Sequence, residues 1–191
     1  MRSVCVFCGS NAGSHPVYRQ TAERMGRELA SRGLRLVYGG GKVGMMGFLA
    51  DAVLAAGGEV CGVIPSAMVE LEWAHPNATE MRVVPSMHAR KALMAELSDA
   101  FVALPGGFGT FEEICEVITW TQLGLHPKPC ALLNVNGFYD GLVAQFDHGA
   151  REGFVRPEHR QMVIVHSEVE ALLEGIAAYR HLSVSKQIPR A

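Results

Sequence analysis

Three carboxylates, Glu112, Glu113 and Glu116, follow closely on the run Pro105-Gly106-Gly107-Phe108-Gly109-Thr110. Glycines let backbone N–H groups approach a ligand, and the start of a helix leaves several N–H groups unpaired, so an anion is the natural guest of such a turn. A carboxylate beside a phosphate seat can stabilise positive charge growing on a sugar ring, or take a proton from water. Two other readings stand beside this one. The glycines form a purely structural turn, or Glu112 and Glu113, in the expected first turn of the following helix, themselves satisfy its end.

A cation is placed by a second pattern. Met87, Arg90, Met94 and Leu97 are spaced three, four and three apart and share one helix face. A guanidinium in an apolar stripe must find a partner or reach solvent. Arg90 is therefore the candidate substrate-binding or catalytic cation, with a structural salt bridge as the alternative. A phosphate seat, a guanidinium and a carboxylate together suit a nucleoside 5'-monophosphate. Breaking its N-glycosidic bond builds the oxocarbenium-like charge that carboxylates serve in glycoside hydrolysis. Glu113 is favoured, and Glu112 and Glu116 compete. Neighbouring helix positions point about 100° apart, so the three cannot all face one ribose.

Other chemistries fit less well. A metal-dependent phosphoesterase needs carboxylates converging from several elements, and here the acidic groups spread only to Asp99 and Glu80. A binding module would need the glycines but not Glu113. Pyridoxal phosphate chemistry requires a Schiff-base lysine, and none of Lys42, Lys91, Lys128 and Lys186 has a context that argues for it.

These residues must be positioned by alternating elements. Apolar runs at Ser3–Phe7, Leu34–Tyr38, 59–64, 81–84, 100–104, 130–133 and 162–165 read as strands, with helical periodicity between most of them. The pattern predicts an open, doubly wound parallel α/β sheet whose ligand crevice lies where strand ends meet glycine loops. Gly9 with Ser10 and Asn11 forms one such loop, and Gly39-Gly40-Gly41-Lys42-Val43-Gly44 another. The second fits neither the dinucleotide fingerprint nor the nucleoside triphosphate phosphate loop. Lys42 either neutralises a bound phosphate or is solvated. Residues 66–80 have no clean period and read as a flap or an interface segment, with Trp73 packed and His75 unsuited to a metal. Ser167 and Glu170 are expected to form a capping box on the last helix. Cys5 and Cys8, expected on one sheet face, read as buried thiols rather than a redox or metal pair.

The 191 residues, 49% of them apolar, suit a single domain over 1–180 with a flexible tail at 181–191. A net charge of −2 provides no broad basic field, so nucleic acid is not expected as a partner. No signal-like segment or bilayer-length apolar run is present in this sequence, so neither membrane nor export is expected and the cytoplasm is the default location.

Pro105-Gly106-Gly107-Phe108-Gly109-Thr110-Phe111-Glu112-Glu113 resembles the PGGxGTxxE signature of the LOG family, the cytokinin riboside 5'-monophosphate phosphoribohydrolases. Gly39–Gly41 with Gly44-Met45-Met46-Gly47, Ser86–Lys91, and Trp120-Thr121-Gln122-Leu123-Gly124 are similar to that family's pattern too, and the similarity runs from about Val4 to Ala178. The resemblance implies a Rossmann-like homodimer that hydrolyses cytokinin riboside 5'-monophosphates or AMP to free base and ribose 5-phosphate, with no cofactor and no metal. It implies Arg90 and Glu113 as the catalytic pair. Substrate contacts are expected at Gly9 and Ser10, at Gly40, Gly41 and Gly44, at Met87 and Lys91, and at Pro105, Gly106, Gly107, Gly109 and Thr110. Members have often been labelled lysine decarboxylases, a label that the lysine contexts here speak against. Two positions depart from the family's usual pattern: Met45 replaces leucine, and Ala89 replaces the glutamate of MHERK.

Overall fold

Unbroken apolar runs alternating with amphipathic stretches require parallel strands joined by crossover helices. A computed structural model, which describes residues 1–71 and 73–181, has this architecture. Its elements are β1 (Ser3–Phe7), α1 (Pro16–Ser31), β2 (Arg35–Tyr38), α2 (Gly44–Ala55), β3 (Val60–Pro65), α3 (Ser66–Glu70), β4 (Glu80–Val84), α4 (Met87–Glu96), β5 (Ala100–Ala103), α5 (Phe108–Gln122), β6 (Cys130–Leu133), α6 (Asp140–Arg151), α7 (Pro157–Arg160), β7 (Val163–His166) and α8 (Val169–Ala178). Among the described residues, seven strands form one parallel sheet in the order β4-β3-β2-β1-β5-β6-β7. The order reverses between β1 and β5, which is where a doubly wound sheet opens a crevice at its carboxyl ends.

Strand alternation divides the core. Val4 and Val6 pack with Met25 and Leu29 of α1, Leu49 of α2 and Leu172 of α8 on one face. Cys5 and Phe7 pack with Met94 of α4 and Ile114 and Val117 of α5 on the other. Helices thus cover both faces, as the alternation predicts. Every residue of β1, β5 and β6 is buried.

Several expectations need correction. Cys5 and Cys8 belong to opposite cores, because three positions is an odd step on a structure of period two. Both thiols are buried, and burial holds both protonated, so neither is poised for thiolate chemistry. The last helix is capped at Glu168 without a side-chain bond, so the Ser167 capping box does not form. Glu168 and Glu170 instead reach Arg24 of α1 at 3.3 and 2.8 Å. Trp73 is 52% exposed rather than packed. The flap it belongs to contains α3 and is tied down by backbone: Gly41 bridges Ala74, Lys42 N–H donates to Trp73 O, and His75 N–H donates to Gly40 O at 2.8 Å. The expected flexible tail lies, but for His181, outside the described residues.

Candidate active site

Three loops meet at the carboxyl ends of β1, β2 and β5, and they do so because glycines permit the contact. Gly9 N–H donates to Pro105 O at 3.1 Å, joining the first loop to the third. A Cβ on Gly106 would lie 2.1 Å from Thr110 Oγ1 and 2.8 Å from Gly9 N. A Cβ on Gly44, whose φ is +63°, would lie 2.2 Å from Ser10 O, so the second loop closes on the first with no room for a side chain. Gly9, Ser10, Pro105, Gly106 and Gly107 together line a recess of about 180 Å³. Its remaining wall is Asn11, Ala12, Gly13, Tyr18, Met45 and Phe138. Of these, the sequence motifs singled out only Asn11 and Met45. Tyr18 and Phe138 arrive from distant elements and stack edge to face at 5.9 Å.

Helix α5 begins at Phe108, with Gly107 as its N-cap and no side-chain cap. It starts three residues before Phe111, the first position of the sequence periodicity, since Gly109 and Thr110 carry no apolar signal. Glu112 and Glu113 therefore stand in its second turn, and no acidic residue occupies the first. The first intrahelical bond is Phe111 N–H to Gly107 O, so the N–H groups of Phe108, Gly109 and Thr110 precede the helical ladder. No neighbour lies within 4 Å of where a Cβ on Gly107 or Gly109 would stand, so the approach to this helix end is open.

Arg90 and Glu113 form the charged centre. Arg90 Nε donates to Val63 O at 3.1 Å and Nη2 to Gly39 O at 3.2 Å, which fixes the guanidinium at the ends of β3 and β2. Gly39 is glycine for that reason: a Cβ there would fall 1.9 Å from Nη2. Nη1 lies 3.6 Å from Glu113 Oε1 and 3.7 Å from Met87 Sδ. Both charged residues are 8% exposed. Burial pushes the Glu113 carboxyl from its ordinary 4.5 up to about 7; Arg90 and Lys91 pull it down, and Glu112 and Glu116 raise it. Glu113 is thus poised near neutrality, where a carboxylate can exchange a proton with water.

The remaining expected contacts divide. Gly40 and Gly41 hold the flap and do not line the recess. Thr110 is buried, with its hydroxyl where a Gly106 side chain would stand. Lys91 faces neither loop nor recess; its amine bonds Glu112 and, at 3.1 Å, Glu116. Lys42 is exposed. His75 is buried, accepts from Asn77 N–H at Nδ1 and so donates from Nε2 to Asp51 Oδ1 at 3.1 Å, fastening the flap to α2. Among the described residues, no three His, Cys, Asp or Glu side chains converge as a cation site requires.

Comparison with known proteins gives this geometry a context. Residues 46–176 match the family model described as "Possible lysine decarboxylase". Lysine chemistry of that kind needs a free amine to bond pyridoxal phosphate, and the described residues do not fit: Lys91 is held by two carboxylates, Lys128 donates to Ala95 O at 2.7 Å, and among the described residues no lysine lines the recess. The chain is 54% identical over 176 residues to a cytokinin riboside 5'-monophosphate phosphoribohydrolase of Rhodococcoides fascians, covering 92% of this chain and 89% of that protein. It is 45% identical over 188 residues to one of Arabidopsis thaliana, covering 97% and 88%. Among solved structures, the molybdenum cofactor carrier protein of Chlamydomonas reinhardtii superposes with a TM-score of 0.71 at 22% identity, over 93% of this chain and 99% of that one. The molybdenum cofactor binding protein of Rippkaea orientalis gives 0.71 at 24% identity, over 93% and 96%. Those two likenesses are of fold alone. The sequence relatives, matched almost end to end, together with the PGGxGTxxE loop and the Arg90–Glu113 pair, show that the chain belongs to the LOG family of cytokinin riboside 5'-monophosphate phosphoribohydrolases.

Proposed function

We propose that this protein hydrolyses the N-glycosidic bond of nucleoside 5'-monophosphates, either cytokinin riboside 5'-monophosphates, AMP or both, releasing free base and ribose 5-phosphate. The observation that carries the reading is a buried guanidinium–carboxylate pair, 3.6 Å apart, in the same strand-end crevice as an uncapped helix N-terminus. The substrates in the relatives' names support it.

In this reading the phosphate sits against the N–H groups at the start of α5, approached over Gly107 and Gly109, with Gly9, Ser10, Pro105 and Gly106 forming the adjoining wall. Thr110 contributes its N–H, and Met87 flanks Arg90. Gly40, Gly41 and Gly44 act indirectly, by fixing the second loop against the flap and against Ser10. The Glu113 carboxylate faces the ribose. As the bond between base nitrogen and ribose carbon breaks, positive charge grows on the ring, and the carboxylate stabilises it in a site with little competing water. The attacking water forms the new bond to that carbon and gives its proton to Glu113, while the base leaves with a proton from another group. Arg90 favours the ionised form of Glu113 against its burial and attracts the nucleotide. Turnover therefore rises with pH as Glu113 ionises, around pH 7.

Two further proposals concern the whole protein. It acts as a homodimer, an arrangement supported by the exposed apolar side chains Leu123, Leu125 and Phe154. It resides in the cytoplasm, which its five free cysteines support. Light scattering that finds one chain per particle would remove the dimer.

The primary test is product analysis after incubation with AMP and, separately, with an N6-isopentenyl-substituted AMP. Free base with ribose 5-phosphate is expected. Nucleoside with inorganic phosphate would mean that another bond is cleaved, and intact substrates would refute the reading for these nucleotides.

A further inference from the structure

The α4–α5 seam contains more charge than the catalytic pair uses. Arg90 and Lys91 are consecutive on α4, and Glu112, Glu113 and Glu116 lie on α5. The structure sorts them into two sets. Arg90 faces Glu113, whereas the Lys91 amine joins Glu112 and Glu116, which are one helical turn apart on α5. The Lys91 side chain is only 11% exposed, and Glu116 Oε2 is buried without a hydrogen-bond partner, so that carboxylate relies on the lysine for compensation. Two of the three ammonium donors are used in this clamp.

We infer that Lys91 is a positioning residue: by bonding Glu112 and Glu116 together it offsets part of the charge of the two carboxylates beside Glu113 and leaves Glu113 as the one member of the three that faces Arg90. The inference rests on the catalytic assignment of Glu113 made above, and it replaces the expectation that Lys91 touches the substrate. The groups facing Glu113 are Arg90 and Lys91 from α4, Glu112 and Glu116 from α5, and the Cys5 and Cys8 thiols from β1 and the loop after it. Both thiols are held neutral by burial, so beyond burial itself, the largest influence on Glu113, the charges acting on it are two cations and two anions. Without the Lys91 charge one downward pull is lost and Glu113 holds its proton to higher pH; without the charges of Glu112 and Glu116 two upward pushes are lost and it releases the proton earlier.

The test follows the Glu113 carboxyl itself, by carbon-13 NMR titration of the intact protein, alongside the pH profile of kcat/KM for AMP. Lys91→Met keeps the aliphatic stem and removes the charge. It is expected to move the Glu113 midpoint and the acid limb of the profile up by at least about half a pH unit. On that limb the shift is a fall of about three-fold in kcat/KM at fixed pH. Lys91→Arg is expected to restore the wild-type midpoint. The double variant Glu112→Gln with Glu116→Gln keeps Lys91 and is expected to move the midpoint down, which tests the same balance in the opposite direction should the methionine variant fail to fold. An unmoved midpoint in the folded variants overturns the inference. So does a Lys91→Met protein whose KM is raised equally at every pH with an unshifted limb, since that is the mark of an amine on the substrate. If wild type releases no base, the catalytic reading fails, while the NMR titration still decides what Lys91 does to Glu113.

Discussion

Glu113→Gln separates what the carboxylate does for chemistry from what it does to the fold. Raising a carboxyl from 4.5 to about 7 means that the folded protein opposes its ionisation, by about 1.4 kcal/mol for each pH unit, or ~3 kcal/mol in all. That opposition is absent below the unfolded value of about 4.5. It grows as pH rises and levels off once the folded carboxyl has ionised, above about 7. Glutamine has the shape of the protonated acid and never ionises. The variant is therefore expected to match wild type in stability at pH 4 and to exceed it by ~3 kcal/mol at pH 8. For a chain of this length that gap corresponds to roughly 6–12 °C in melting temperature. Thermal unfolding across pH 4–9 reads the stability gap, and chromatography of released base reads turnover, expected to fall by at least about 100-fold. A stability gap independent of pH, or a variant less stable than wild type at pH 8, would refute the argument that burial of this carboxylate is opposed by the fold. Undiminished base release would refute its role in the reaction.

Four other substitutions probe the neighbouring groups. Arg90→Ala leaves the carbonyls of Val63 and Gly39 without their donors and Glu113 without its counter-charge; a loss of about 3 kcal/mol in urea unfolding at pH 8 is expected, with turnover abolished. Gly106→Ala and Gly107→Ala should differ sharply although they are adjacent. The first drives a methyl into Thr110 and Gly9, costing about 1–3 kcal/mol. The second meets nothing within 4 Å, so stability should change by less than about 0.5 kcal/mol while the methyl, standing where the phosphate is proposed to approach, raises KM; equal denaturation midpoints for the two variants would contradict this geometry. Tyr139→Phe removes a buried hydroxyl that donates to Leu104 O at 2.7 Å, just ahead of the Pro105 loop, and about 1 kcal/mol of stability should be lost in denaturant titration.

Periodicity and strand-ending glycines were enough to read the parallel α/β sheet and the placement of the loops, because both follow from local physics. The need of Arg90 for partners was legible too: a guanidinium in an apolar stripe has few ways to exist, and here two of its nitrogens donate to strand-end carbonyls. The choice of Glu113 over Glu112 and Glu116 was not decidable from spacing alone. It needs the rotation of α5 against α4, which gives Glu113 to Arg90 and the other two to Lys91. Tyr18 and Phe138 were illegible for a similar reason, since their place in the recess depends on elements far apart in the chain. The Ser167 cap fails because Arg24, on another helix, offers Glu168 and Glu170 partners that no local pattern reports.

The residues that make this site are poor choices for a stable fold. A glutamate buried beside two other carboxylates, an arginine committed to carbonyls inside the sheet edge, and a helix begun at glycine without a cap all oppose compactness locally. They coincide at the carboxyl ends of β1, β2, β3 and β5, while each strand around them is anchored by apolar cores on both faces. Such a coincidence is expected where binding a dianionic nucleotide supplies what the free protein lacks: a guest for the helix start that no side chain caps and a developing positive charge for the carboxylate. The substrate then completes the electrostatics of the site, and it does so most strongly at the transition state, where the ribose carries its greatest charge. A nucleotide whose ring cannot develop that charge should therefore occupy the crevice less tightly than a mimic bearing a fixed cation at the same position. Reversal of that order would mean that Glu113 is not facing the sugar.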